Sequence, residues 1–173
     1  MSFIPLPTDD ITKSVEVIEW DHARIHDGKA FTSSQLFSLG NNATTYHLFR
    51  NSSATNYPHI RTLLVSASGS PVELHLYESP TITGTGTPQT SSNNNRASLN
   101  TANLLMYSGA TVSADGTFLA SDIIVGGKST GGAGTENAQR EWVLKPATDY
   151  ILKLVNVGAG NISYGLKIFW YEN

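Results

Sequence analysis

The chain has 173 residues, enough for one domain with a substantial core, and carries a formal net charge of -3 at a pI of about 5.9. That balance speaks against a nucleic-acid binder, whose footprint is a basic patch or stripe, and the absence of cysteine excludes disulfides and thiolate metal sites. Charged residues are only 14% of the chain, with Thr, Ser, Asn and Gly in their place, a surface suited to a protein that uses it in contacts.

In chain order, residues 1–13 read as an arm. Pro5 and Pro7 prevent regular structure there, while Phe3, Ile4 and Leu6 offer apolar side chains to bury. The opening Met1-Ser2-Phe3-Ile4-Pro5 lacks the charged start and apolar run of a secretory signal. Together with the missing cysteines this points to assembly in a reducing cytoplasm. No stretch approaches the roughly 20 apolar residues of a membrane span.

Residues 14–173 read as one antiparallel β-domain. Glu16–Ile25 is expected to be a strand, and Asp27-Gly28, between Ile25-His26 and Lys29-Ala30, a two-residue hairpin turn. Val72, Leu74 and Leu76 alternate with Glu73, His75 and Tyr77 as a half-buried strand opened by Pro71. Trp142 and Leu144 alternate with Glu141, Val143 and Lys145. Near the C-terminus Tyr150, Leu152 and Leu154 precede a turn at Gly158-Ala159-Gly160-Asn161. Tyr164, Leu166, Ile168 and Trp170 follow, so a hairpin is expected. Two polar segments, Thr83–Ser98 and Gly126–Asn137, read as long loops. About eight short strands with closely spaced turn signals imply a jelly-roll-like sandwich.

Little in the chain suggests chemistry. Gly127-Lys128-Ser129 resembles the end of a phosphate loop, but Asp122 stands where the first glycine is needed and no helix is expected to follow. His22 and His26, beside Asp21 and Asp27, form the most metal-like cluster. On a helix such a pair grips one ion, whereas on the expected strand they stand about 13 Å apart. No serine sits in a nucleophile-elbow sequence. The expectation is therefore a non-enzymatic protein with no cofactor. Trp142 and Trp170 fall on apolar strand faces and read as core. A sugar-binding platform would instead need Trp20, Tyr57 or Tyr107 in an exposed row. Arg96 closes the Asn-rich run, and a guanidinium there can hold a carboxylate and loop carbonyls together. Two strands end alike, Leu76-Tyr77-Glu78 and Trp170-Tyr171-Glu172. Arg96 and Glu78 are thus the expected loop-structuring residues.

These pieces carry a resemblance. His26-Asp27-Gly28 with Phe31, Leu76-Tyr77-Glu78 before a Gly/Thr loop, Asn93-Asn94-Asn95-Arg96-Ala97-Ser98, Glu141-Trp142-Val143-Leu144-Lys145-Pro146 with Tyr150, and the ending Trp170-Tyr171-Glu172 run in order along the chain. Together the sequence resembles the capsid decoration (cement, head-associated) proteins of tailed bacteriophages. The resemblance implies a jelly-roll-like sandwich on the outer surface of the virion, made in the host cytoplasm. It would bind the major capsid protein as a homo-oligomer, a trimer favoured over a dimer, with no direct nucleic-acid contact. It implies no catalytic residues. Phe3, Ile4 and Leu6 of the arm are the expected partner-binding residues. The rival expectation is a carbohydrate-binding jelly-roll module on a phage fibre or head projection.

Overall fold

The computed structural model describes residues 20–125 and 141–173. The arm with Phe3, Ile4 and Leu6 lies outside these residues, as does the expected Gly126–Asn137 loop with its Gly127-Lys128-Ser129. The elements are α1 (Trp20–His26), β1 (Ala30–Leu39), β2 (Thr44–Asn51), β3 (His59–Ser68), β4 (Val72–Glu78), β5 (Thr81–Gly84) and β6 (Thr87–Gln89). They continue with β7 (Ser92–Asn93), β8 (Leu104–Ser108), β9 (Thr111–Ala114), β10 (Thr117–Ile124), β11 (Trp142–Val143), β12 (Thr148–Asn156) and β13 (Ile162–Tyr171).

The strands form an antiparallel β-sandwich. One sheet has the order β11-β3-β13-β1-β7 and the other β10-β4-β12-β2-β8-β6, and a small third sheet pairs β5 with β9. Strands from β1 to β4 and from β11 to β13 alternate between the two large sheets, so these connections cross the sandwich.

Alternation explains the core. Val72, Leu74 and Leu76 point inward from β4, and Ile162, Tyr164, Leu166, Ile168 and Trp170 point inward from β13. They meet Phe31, Val65, Phe49, Leu104 and Met106 between the sheets. On β12 both faces are buried. Leu152 and Leu154 face the main core, whereas Ile151 joins Leu48 and Ala110 beneath Ile82 and Val112 of the small sheet. An ion pair between Lys153 Nζ and Asp115, 2.6 Å, ties that small sheet down.

Four expectations are corrected. Trp20–His26 is a helix rather than the end of a strand. Asp27-Gly28 does not turn a hairpin but ends that helix. The amide of Gly28 donates to Ile25 O (3.0 Å), that of Lys29 to Arg24 O (3.0 Å), and Gly28 has a φ of 66°. This is the Schellman pattern, which wants a left-handed glycine just as a type I′ hairpin turn does. The local signal is therefore the same for two different structures.

The Gly158–Asn161 turn joins β12 and β13, which lie in different sheets, so it is an arch across the sandwich rather than a hairpin. The apolar faces of both strands meet from opposite sides of one core. Asn156, fully buried, holds the arch by donating from Nδ2 to Gly40 O (2.8 Å) and Gly160 O (2.7 Å) while accepting from the Gly158 amide (3.1 Å). A Cβ at Gly158 would lie 2.0 Å from the Ser70 Cβ, so the close approach requires glycine.

The expected Thr83–Ser98 loop contains the end of β5 together with β6 and β7, which pair with β9, β8 and β1. At two to four residues such strands are too short to show alternation.

Candidate interaction surfaces and their latches

The two similar strand endings do similar work. Glu78, at the end of β4, receives Lys145 Nζ on Oε1 (2.6 Å) and the Tyr150 hydroxyl on Oε2 (2.9 Å). The same hydroxyl accepts from the Lys145 amide (2.9 Å), so one carboxylate and one phenol fix the turn between β11 and β12. The hydrogen bond from Lys145 outweighs burial and holds the Glu78 carboxyl below its ordinary range. Burial pushes the Tyr150 hydroxyl up to about 12, keeping it protonated and able to donate. Glu78, one of the two expected loop-structuring residues, stands at the turn between β11 and β12.

Glu172 immediately follows β13 and is 4% exposed. It accepts from the Asn103 amide (3.0 Å), Asn103 Nδ2 (2.8 Å), the Leu104 amide (2.9 Å) and Trp170 Nε1 (3.0 Å). A buried carboxylate is tolerable when charge-assisted hydrogen bonds surround it. Here it joins the C-terminal strand of one sheet to the start of β8 in the other. Sequence reasoning did not single out Glu172, although the repeated Tyr-Glu ending was its signal.

The Asn-rich segment is ordered by its asparagines. Asn93 Nδ2 donates to Gly28 O (2.8 Å) and Asn100 O (3.1 Å), and its Oδ1 accepts from the Asn95 amide (2.9 Å). Asn95 repeats the device, with Oδ1 accepting from the Ala97 amide (3.1 Å) and Nδ2 donating to His26 O (3.0 Å). These bonds dock the segment onto the end of α1. Arg96 is exposed and reaches the Asn93 carbonyl at 3.5 Å, a long contact. No ion pair to Arg96 is found among the described residues.

A third latch closes the edge of the five-stranded sheet. Glu141 accepts from His59 Nδ1, from Arg61 NH1 (3.0 Å) and from the Tyr171 hydroxyl (2.6 Å). The His59 ring stacks on Tyr171 at 4.6 Å between centroids, and its Nε2 meets Asn173 Nδ2 at 3.1 Å. A proton on Nδ1 leaves Nε2 as the acceptor and satisfies both contacts. Burial raises the Glu141 carboxyl, but the bonds from Tyr171, His59 and Arg61 outweigh it and leave the group below its ordinary range. The carboxylate is ionised and occupied by three donors. As arranged it fastens β11 and the C-terminus to β3.

His47 is buried in the core, with Nε2 2.9 Å from the Tyr164 hydroxyl and its ring edge-on to Phe37. Burial pushes it down to about 4, so it is a neutral core residue at ordinary pH. His22 and His26, expected far apart, stand one helical turn apart on α1 with their Nε2 atoms 2.8 Å from each other. No group of three or more His, Cys, Asp or Glu placed to hold a metal ion is found among the described residues.

Large apolar side chains remain in solvent. Leu36 of β1 is 87% exposed and Leu99, in the loop before β8, is 97% exposed. Phe118 and Ile123 of β10, with Val125 just beyond it, are 54, 52 and 65% exposed and lie along the outer edge of the six-stranded sheet. Asp122 guards that edge, its Oδ1 accepting from the Ile123 amide at 2.7 Å. Tyr57 is exposed in the loop before β3, whereas Tyr107 on β8 packs against the cluster beneath the small sheet, so the two do not form an exposed row. Trp142 is partly buried against the main core and Trp170 is fully buried there. Among the described residues no helix is long and apolar enough to cross a membrane.

Compared with known proteins, the chain matches no family model and no curated protein.

Proposed function

We propose that this chain is a structural virion protein, a capsid decoration or cement protein of a tailed bacteriophage. It binds the outer surface of the shell and strengthens contacts between subunits of the major capsid protein. The observation that carries the reading is the division of labour among side chains. Glu78, Glu141 and Glu172 are tied into latches at strand ends. Leu36, Leu99, Phe118, Ile123 and Val125 are left in solvent as contact residues.

Bridging two subunits adds interface that must be broken before they separate, and no reaction is needed. A rigid latched body with apolar contact points suits that task. The resemblance of the quoted motifs to decoration proteins supports it, as do the connections that cross between the sheets, which we read as a jelly-roll-like winding. In this reading the protein is a homo-oligomer, a trimer favoured over a dimer, because a closed ring matches rotational sites on a shell. It needs no cofactor and touches neither nucleic acid nor membrane. The arm, through Phe3, Ile4 and Leu6, lies on a neighbouring copy or on the capsid protein, its two prolines lowering the cost of ordering.

The test is co-sedimentation of the purified protein with capsids that lack it. Saturable binding, with a higher temperature of capsid disruption, is the expected result. Failure to bind, or binding without any gain in capsid stability, contradicts the proposal.

A further inference from the structure

We infer that His22 and His26 form a two-histidine site on α1 for a divalent transition metal, with copper(II) preferred to nickel(II) and both preferred to zinc. The helical turn sets the geometry. Residues four apart lie one above the other on a helix face, and the two Nε2 atoms are 2.8 Å apart with ring centroids at 4.6 Å, sharing a hydrogen bond that a bound ion replaces once the proton moves to the donor ring's Nδ1. Both residues are exposed, so an ion can approach from solvent.

The bite selects the metal. With metal–nitrogen bonds of about 2.0–2.1 Å, two nitrogens that subtend 90° at the ion stand about 2.9 Å apart, whereas a tetrahedral angle needs about 3.3 Å. The observed separation matches the right-angled case within about 0.1 Å. Tetragonal and octahedral ions therefore fit with little movement, and a tetrahedral zinc requires the rings to spread by about 0.5 Å. Imidazole suits copper, nickel and zinc alike, so the ordinary affinity order places copper first and the bite angle sets nickel ahead of zinc.

The surroundings favour a cation. His26 is the last residue of the helix, where the dipole is negative. Asp27 follows it with an exposed carboxylate, and the guanidinium of Arg24 is drawn to that carboxylate at 3.8 Å. Two protein ligands leave the remaining coordination positions to water. The consequence is a clip across the only helix among the described residues, whose end is docked to the Asn-rich segment by Asn95 on the His26 carbonyl.

The test is titration of the full chain with copper(II) chloride, nickel(II) chloride and zinc chloride. Binding is followed by calorimetry and, for copper, by electron paramagnetic resonance. One copper per chain with superhyperfine coupling to two nitrogens is expected, with affinity falling from copper to nickel to zinc. His22→Ala and His26→Ala, both at exposed positions, should each weaken copper at least tenfold and leave coupling to a single nitrogen at that site. His75→Ala should change neither. Circular dichroism of each variant verifies that the fold is intact. Copper bound equally well by His22→Ala and His26→Ala would overturn the site, placing the metal elsewhere on the chain. Zinc bound more tightly than copper would overturn the geometric selection.

Discussion

Acid should weaken this protein through His47, in a window bounded by that residue's unfolded and folded pKa values. The ring is buried beside Tyr164 and Phe37, and burial pushes its pKa down to about 4, against about 6.5 for an exposed ring. In the unfolded chain the ring takes a proton as the pH falls below about 6.5, whereas in the folded protein it stays neutral until about 4. Unfolding is therefore favoured by acid from about pH 6.5 downward. The loss grows by about 1.4 kcal/mol per pH unit and levels off near pH 4 at a total of about 3 kcal/mol.

Glu78 and Glu141 are held below their ordinary range, so they also lose stability in acid as they become protonated. Their contribution is shared by a His47→Gln variant, which keeps a polar partner for Tyr164 and cannot titrate. Urea unfolding of both proteins between pH 7.5 and 4 separates the effects. The wild type should lose about 3 kcal/mol more than the variant across that range. Parallel curves for the two proteins would show that His47 does not take up its proton on unfolding as described.

Trp170→Ala should cost about 3–5 kcal/mol by urea unfolding, because the indole is fully buried and stacked on Phe31. Trp170→Phe keeps most of the packing and removes only the Nε1–H bond to Glu172, so it should cost markedly less. Glu172→Ala should cost about 3 kcal/mol or more, since it strips the acceptor from four buried or half-buried donors at once. Gly158→Ala should destabilise the arch, as a lower melting temperature, because its Cβ meets Ser70. Deleting residues 1–7 should leave circular dichroism and melting temperature near normal while reducing retention on capsids. An unfolded truncate would place the arm in the domain's own core, and undiminished retention would show that it is no anchor.

The strands with strict alternation were legible. Val72–Leu76 and Tyr164–Trp170 show which side chains face the core because one face of each strand is buried and the other is not. What alternation does not say is which sheet a strand joins. The β12–β13 pair therefore reads as a hairpin although it spans the sandwich. Asp27-Gly28 shows a second limit, since a left-handed glycine serves a helix end and a hairpin turn equally. Read as a strand, the same segment would hold His22 and His26 about 13 Å apart, whereas the helix stacks them one turn apart.

The latches were partly legible. The matched Tyr-Glu endings pointed to Glu78, but the Glu141 cluster joins residues far apart in sequence, and only the fold brings His59, Arg61 and Tyr171 to one carboxylate. Arg96 is the charged residue of the run, but the neighbouring Asn93 and Asn95 make the shorter and more numerous bonds in the loop.

Electron cryomicroscopy of capsids incubated with the purified protein would show the decoration role itself. Added density is expected on the outer face of the shell at a rotational symmetry axis. That density should fit copies of this sandwich, with each copy contacting more than one capsid subunit. Bare shells at saturating protein, or density confined to a fibre, the tail or the inner face, would contradict it.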